Sequence, residues 1–415
     1  MRKQPCLPIC FIEVNEIKMG LIADRILQME ESATLKMANL AWDLKDQGQD
    51  IISLSLGEPD FDTPEFIKEA AIKAINDNVT HYPPVPGFKD LKEAISKKFK
   101  RDNNLNYAPE QIVVSTGAKH SLMNLCLALV NPGDEVILPA PYWVSYMAMV
   151  EFAEGTPRVI KTDISTNFKI TPNQLEESLS NKTKLFIFSN PCNPSGSVYT
   201  KSELESLASV FAKYPNCYIV SDEIYELINF ESENFSIGTI VSIKDRVITV
   251  NGVAKGFAMT GWRIGYIGAP LEVAKACTKL QGQFTSGANS IAQKASLAAV
   301  LADPSSLAQM KEVFRKRREI VVSKLKEISG LGVNEPQGAF YVFPDVSSFF
   351  GKSFESDTIN NAQDLCMYLL KDSLVAMTPG DAFGCPNNLR ISYANSEEQL
   401  IEAVKRIKQS LEKLS

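Results

Sequence analysis

Histidine is almost absent: 415 residues hold only two, His81 and His120. That excludes a His-rich zinc site, and it argues against a Ser-His-Asp hydrolase, whose nucleophile needs an imidazole base. Eight cysteines, at 6, 10, 126, 192, 217, 277, 366 and 385, form no C-x-x-C pair. Such a scatter fits a reducing compartment better than a disulfide framework. Cys6 and Cys10 lack further ligands, so no metal is expected. No apolar run approaches the roughly 18 residues that cross a membrane. Positive charge is not in excess either: a net charge of −6 and a pI near 5.3 argue against nucleic acid as the main partner. Internal repeats and low-complexity linkers are missing.

What is present is ordinary for a soluble globular chain, 45% hydrophobic and 22% charged. Its length exceeds one usual core, so two domains or one large elaborated one are expected. The apolar stretch at the start is short, broken by Pro8 and followed by Glu13 and Glu16 rather than a cleavage site. It reads as an extension, with Met19 as an alternative start and little order before it, on a cytoplasmic protein.

The middle of the chain alternates short apolar strands with amphipathic stretches. Strands are expected at 111–114, 134–138, 184–188, 217–220, 246–250 and 263–267. Strands separated by helical patterns indicate an α/β architecture with a mainly parallel sheet covered on both faces. After Asp303 the pattern becomes α+β: a long helix from Met310 toward Ser329, strands at 340–343 and 389–392, and a helix near 362–370. Residues 20–50 read as an arm and then a helix.

Four segments carry chemistry. Lys255 sits among small and apolar residues in Asn251-Gly252-Val253-Ala254-Lys255-Gly256-Phe257. Desolvation there lowers an amine's pKa and suits it to a Schiff base with an aldehyde cofactor. Eight residues on, Arg263 offers a charged fork for a phosphate. Asp222, in Val220-Ser221-Asp222-Glu223-Ile224-Tyr225, stands where a strand runs into a turn and suits a protonated ring nitrogen. Ser189-Asn190-Pro191-Cys192-Asn193-Pro194-Ser195-Gly196 follows the apolar run 185–188, at a strand's carboxyl end, where open α/β sheets bind ligands. Ser115-Thr116-Gly117-Ala118-Lys119-His120 lies between a strand and a helix, a ready cradle of N–H groups for phosphate. Each alone is also an ordinary turn.

With these, Leu56-Gly57-Glu58-Pro59-Asp60-Phe61-Asp62-Thr63-Pro64, Ala140-Pro141-Tyr142-Trp143-Val144-Ser145-Tyr146, Pro336-Gln337-Gly338-Ala339-Phe340-Tyr341 and Leu389-Arg390-Ile391-Ser392-Tyr393 complete a set. From about Ile22 to Leu411 the chain resembles the fold-type I pyridoxal 5′-phosphate (PLP) aminotransferases, in the bacterial and plastid aspartate aminotransferase branch. The resemblance implies the PLP-dependent transferase fold type I. Residues 67–318 would form a large PLP-binding domain. A small α+β domain would come from both chain ends, 1–66 (with the extension and arm) and 319–415. It implies a homodimer with shared active sites, amino acid and 2-oxo acid substrates, and transamination of L-aspartate with 2-oxoglutarate by ping-pong chemistry.

The resemblance also assigns roles. Lys255 forms the Schiff base and then moves the proton between Cα and the cofactor. Asp222 holds the pyridine nitrogen protonated. Tyr225 and Asn193 donate to the cofactor's phenolic oxygen, and Trp143 stacks on the ring. Arg263, with the backbone of Ala118 and Lys119, holds the phosphate, which Tyr82 reaches from the neighbouring subunit. Arg390 clamps the substrate α-carboxylate beside the backbone of Gly57. Lys119 binds the distal carboxylate. Trp143 and Asn193 border the substrate as well.

Two places depart from the pattern. Many aminotransferases carry Ser three residues before the Schiff-base lysine, where this chain has Gly252, so one phosphate contact is missing. Residues 283–294 and 343–348 look like those of plastid enzymes that also aminate prephenate. Such enzymes often have a basic residue after the arm's Met, whereas this chain reads Met29-Glu30-Glu31-Ser32 and would repel a second carboxylate. Prephenate or aromatic and other amino acids remain the alternative substrates. A PLP lyase or synthase shares these motifs, because reaction type depends on which Cα bond stands perpendicular to the ring. A PLP-binding transcription regulator would need a DNA-binding module before the arm, for which there is no room and no basic stripe.

Overall fold

The structure is a computed structural model that describes residues 21–27, 29, 31–230, 234–355 and 357–415. The expectations placed on Cys6, Cys10, Met19 and Glu30 lie outside the described residues. The chain divides into two compact units, one ending at Glu31 and one spanning Ser32–Ser415. In the first, Asp24–Leu27 makes one helical turn with no buried side chain. The second carries the sheets and the site.

Seven strands form its main sheet: β1 (Ile112–Ser115), β2 (Glu135–Pro139), β3 (Thr156–Ile160), β4 (Thr183–Ser189), β5 (Tyr218–Asp222), β6 (Val247–Gly252) and β7 (Gly265–Gly268). Their spatial order is β1-β7-β6-β5-β4-β2-β3. All pairings are parallel except those of β7, which runs antiparallel to both β1 and β6. Successive side chains alternate between faces. Leu185 and Ile187 pack with Val220, Val250 and helix Ala118–Leu129, while Phe186 and Phe188 pack with Ile219, Val247 and helix Lys201–Phe211. A sheet covered on both faces needs near-continuous apolar strands, which is why the run 185–188 is legible.

The expected strands fall within a residue or two of the observed ones, with two corrections. β3 was not anticipated: it is an edge strand, mostly exposed, and Thr156, Pro157 and Arg158 give it no apolar alternation. Arg263 is not in a strand. It takes a left-handed conformation with φ 57°, and β7 starts two residues later.

A second core joins both ends of the unit. Met37 and Ala41, from helix Ala33–Asp46, pack with Phe314, Val321, Phe340, Leu365, Val375, Ile391 and Val404. Ile52–Ser53 pairs parallel with Val375–Ala376, and Leu389–Ser392 lies between Thr378–Pro379 and Tyr341–Val342 in an antiparallel sheet. The closing helix Glu397–Leu411 shows the local logic. Ser396 accepts from Gln399 N at its start, two glutamates face the positive end of the dipole, and Leu400, Ala403, Val404, Ile407 and Leu411 make one buried stripe.

Candidate active site

Strand direction assembles the site. β1, β4, β5 and β6 all finish at one edge of the sheet, where loops can carry ligand-binding groups. Because β7 runs the other way, it begins at that edge: Gly265 pairs with both Ser115 and Gly252. Arg263 is thereby brought beside the turn after β1. A Cβ on Gly117 would lie 2.5 Å from Arg263 Nη2, and one on Gly265 would overlap the backbone of Ala118. Gly117, at φ 82°, is the residue before helix Ala118–Leu129. Among the described residues only His120 N and Ser121 N reach its carbonyl, at 3.0 and 3.3 Å, leaving Ala118 and Lys119 with the orphan N–H groups of a helix start. His120 braces this turn by accepting from Thr116 N at 3.2 Å.

A cleft of about 290 Å³ opens here, and Gly57, Ala118, Lys119, Trp143, Asn193, Asp222, Tyr225, Lys255, Arg263 and Arg390 all line it. Tyr82 does not; it is 95% exposed on this chain. Ser32, Thr34, Ser189, Thr260 and Tyr341 also line the cleft, although none was singled out from sequence.

Asp222 ends β5 and is buried. Its carboxylate accepts from Tyr146 Oη at 2.6 Å and from Ile224 N at 3.3 Å. Burial outweighs these donors and pushes the group up to about 6. Tyr146 is thus a site residue that sequence reading passed over, though its motif was in view. Lys255 Nζ donates to Gly57 O. Desolvation pushes this amine down to about 8; Arg390 and Arg263 add to that effect, while Glu58 and Asp222 oppose it.

Arg390 is buried, with Nη1 donating to Asn193 Oδ1 at 3.0 Å and Nη2 to Ser55 O. Its guanidinium lies 4.6 Å from the Tyr341 ring centre and 5.1 Å from that of Phe383. Its buried Nε has no partner among the described residues. Asn193 Nδ2 also donates to Tyr225 Oη, at 3.5 Å. Lys119 Nζ sits 4.9 Å over Trp143, pushed below the usual lysine range by desolvation and by the Arg263 cation. Thr260 links two elements: its hydroxyl bonds Glu58, and its carbonyl accepts from Arg263 Nη1 at 2.9 Å.

Two glycines have reasons the sequence did not disclose. A side chain on Gly57 would collide with the Tyr341 hydroxyl. One on Gly252 would lie 2.9 Å from Ile264 O and 3.0 Å from Gly265 Cα, so the close pairing of β6 with β7 leaves little room for a serine. Beneath the Asp222–Tyr225 turn runs a buried polar layer. Lys98 Nζ donates to Glu226 and, at 2.7 Å, to Asn103 Oδ1; Asn103 Nδ2 donates to Glu226 at 2.6 Å and to Glu223 at 3.1 Å.

A six-to-one sheet with a lysine beyond its sixth strand and a carboxylate ending its fifth defines the class, a fold-type I PLP-dependent transferase. The sequence profile of the family described as aminotransferase class I and II matches residues 49–407, and the chain belongs to that family. It is 46% identical over 395 residues to a bifunctional aspartate aminotransferase and glutamate/aspartate-prephenate aminotransferase of Petunia hybrida, covering 94% of this chain and 82% of that one. Among solved structures, an aspartate aminotransferase from Rhizobium meliloti superposes with a TM-score of 0.92 and 41% identity, covering 95% of this chain and 99% of that one. The Thermus thermophilus aspartate aminotransferase with maleate gives 0.88 and 39%, covering 94% and 99%. The protein is an aminotransferase.

The residues present fit the family's cofactor. A cradle of backbone and Arg263 suits a phosphate, and a side chain on Gly117 would fill it. Asp222 is buried with two neutral donors as its hydrogen-bond partners, which suits a cationic ring nitrogen. Lys255, with its lowered pKa, suits an aldehyde.

Proposed function

We propose that this cleft binds pyridoxal 5′-phosphate and transfers the amino group of L-aspartate to 2-oxoglutarate, giving oxaloacetate and L-glutamate. The observation that carries the reading is the convergence of Lys255, Asp222 and Arg390, distant in sequence, on one cleft. When bound, the cofactor supplies a carbonyl that condenses with amines and a ring that accepts electron density from the substrate's Cα.

The chain's own groups do the rest. Arg263 and the N–H groups of Ala118 and Lys119 hold the phosphate. Asp222 keeps the ring nitrogen protonated, and Tyr146 keeps Asp222 aimed. Trp143 provides a flat shelf. Arg390 is held rigid by Asn193 and Ser55, and its planar guanidinium, which lines the cleft, suits the substrate's α-carboxylate in a grip that lysine could not copy. Lys119, at the rim, meets the second carboxylate of dicarboxylic substrates. Lys255 Nζ, with a pKa near working pH, takes the proton from the substrate's Cα. Gly57 O, which accepts from this amine, helps to fix its position.

The same reading makes 67–318 a large domain, 1–66 the extension, arm and part of a small domain completed by 319–415, and the working protein a cytoplasmic homodimer in which Tyr82 serves the other subunit's phosphate. Its exposure supports this. Prephenate as amino acceptor is a second reading, favoured by the activity for which the Petunia relative is named.

A half-reaction screen tests both. The purified protein should be yellow, lose its colour with aspartate or glutamate, and regain it with oxaloacetate or 2-oxoglutarate; recovery with prephenate would establish the second reading. Borohydride followed by peptide mapping should place the cofactor's mass on Lys255, and on no other lysine.

A further inference from the structure

Tyr341 touches three parts of the site that sequence reading treated separately. It is fully buried on the short strand Tyr341–Val342, beside the strand that carries Arg390. Its ring face lies 4.6 Å from the Arg390 guanidinium. Its hydroxyl lies 2.8 Å from the Tyr225 hydroxyl, with the two rings 5.8 Å apart and nearly perpendicular at 78°. The chain at Gly57 passes so close that any Cβ would overlap this hydroxyl.

The two phenols share one hydrogen bond, and its direction matters. Tyr225 Oη already accepts from Asn193 Nδ2. If Tyr225 donates to Tyr341, its single proton is spent inside the protein. If Tyr341 donates, Tyr225 Oη is filled as an acceptor and its proton is free to point into the cleft. The Arg390 cation acts on both phenols but packs against the Tyr341 ring, and this favours the second arrangement, because the phenol nearer a positive charge is the stronger donor. Arg390 correspondingly pulls Tyr341 toward ionisation, against the burial that raises it.

We propose that Tyr341 is a positioning residue: its hydroxyl donates to Tyr225 and so turns the Tyr225 proton toward the cofactor's oxygen, while its ring supports Arg390. The proposal rests on the function proposed above.

It is tested by the pH titration of the bound cofactor's visible absorption. A donor at the cofactor's oxygen stabilises negative charge there and lowers the midpoint. Y341F keeps the ring and removes only the hydroxyl. It should move the midpoint upward by roughly 0.5–1 pH unit, the size of one neutral hydrogen bond, in the same sense as Y225F. In a Y225F background the same change should move it hardly at all. Maleate binding, which reads Arg390, should be unchanged in Y341F and weakened several-fold in Y341L. Incorporating 3-fluorotyrosine at 341, a stronger donor in the same shape, should move the midpoint downward and covers the case in which Y341F folds poorly. Equal shifts by Y341F with and without Tyr225, or an upward shift with fluorotyrosine, overturn the proposal. A wild-type protein that binds no cofactor would instead overturn the function on which it rests.

Discussion

At the scale of single residues, Asp222 shows how function sets stability aside. Burial raises its carboxyl from 3.8 to about 6. In the cofactor-free protein the folded state therefore holds this proton better than the unfolded chain does. Its stabilising contribution is present below pH 4 and is lost as pH rises through 6. Asp222→Asn keeps the shape, with Tyr146 and Ile224 still able to bond it, and removes the charge. The cofactor-free variant should be more stable than wild type by about 2–3 kcal/mol above pH 6 and indistinguishable from it near pH 4, as read by denaturant titration. With cofactor its kcat should fall by roughly 10²–10⁴. Arg390 and Lys119 separate in the same way by substrate. Arg390→Ala should weaken kcat/KM for every amino acid by about 3–5 kcal/mol, since it strips one partner from a buried charge pair. Lys119→Ala should cost about 1–3 kcal/mol for aspartate and glutamate and leave alanine almost unchanged. Equal losses for aspartate and alanine would assign Lys119 to the phosphate.

At the scale of elements, the turn that carries Asp222 and Tyr225 is held from below by helix Lys89–Asn103. Lys98 and Glu226 are each 5% exposed, so their pairing happens almost out of water. Replacing one partner strands the other. Lys98→Met should cost about 3–5 kcal/mol in thermal or denaturant unfolding, whereas Lys98→Met with Glu226→Gln should recover much of that loss. Because Asn103 Nδ2 reaches both Glu223 and Glu226, the single variant should also shift the cofactor's absorption. A stable protein with unchanged absorption would show that the layer does not support the turn.

For the whole molecule, the exposed Tyr82 makes a prediction about assembly. Light scattering should give a mass near twice the chain's 45.8 kDa. Mixed dimers of Lys255→Ala with Tyr82→Ala chains should be more active than either parent dimer, because one of their two sites has both residues intact. Mixing without any gain would place Tyr82 outside the partner's site.

The sequence by itself determined the parallel sheet, most of its strand positions and ten of the residues that line the cleft. Gly57, Trp143, Tyr225 and Arg390 were reached through the family resemblance; the rest were legible because their signals are local: an apolar run between turns, a lysine in a desolvated loop, glycine before a helix. Only the tertiary structure decided that β7 is reversed, that β3 closes an edge, and that Tyr146 meets Asp222 while Tyr341 meets Tyr225 and Arg390. A tyrosine in an apolar motif reads the same whether it fills a core or orients a carboxylate. What distinguishes the two is the group its hydroxyl meets across the fold, 76 residues away for Tyr146 and 116 for Tyr341. No spacing along the chain encodes that meeting; it follows from how strands stack and which way each one runs.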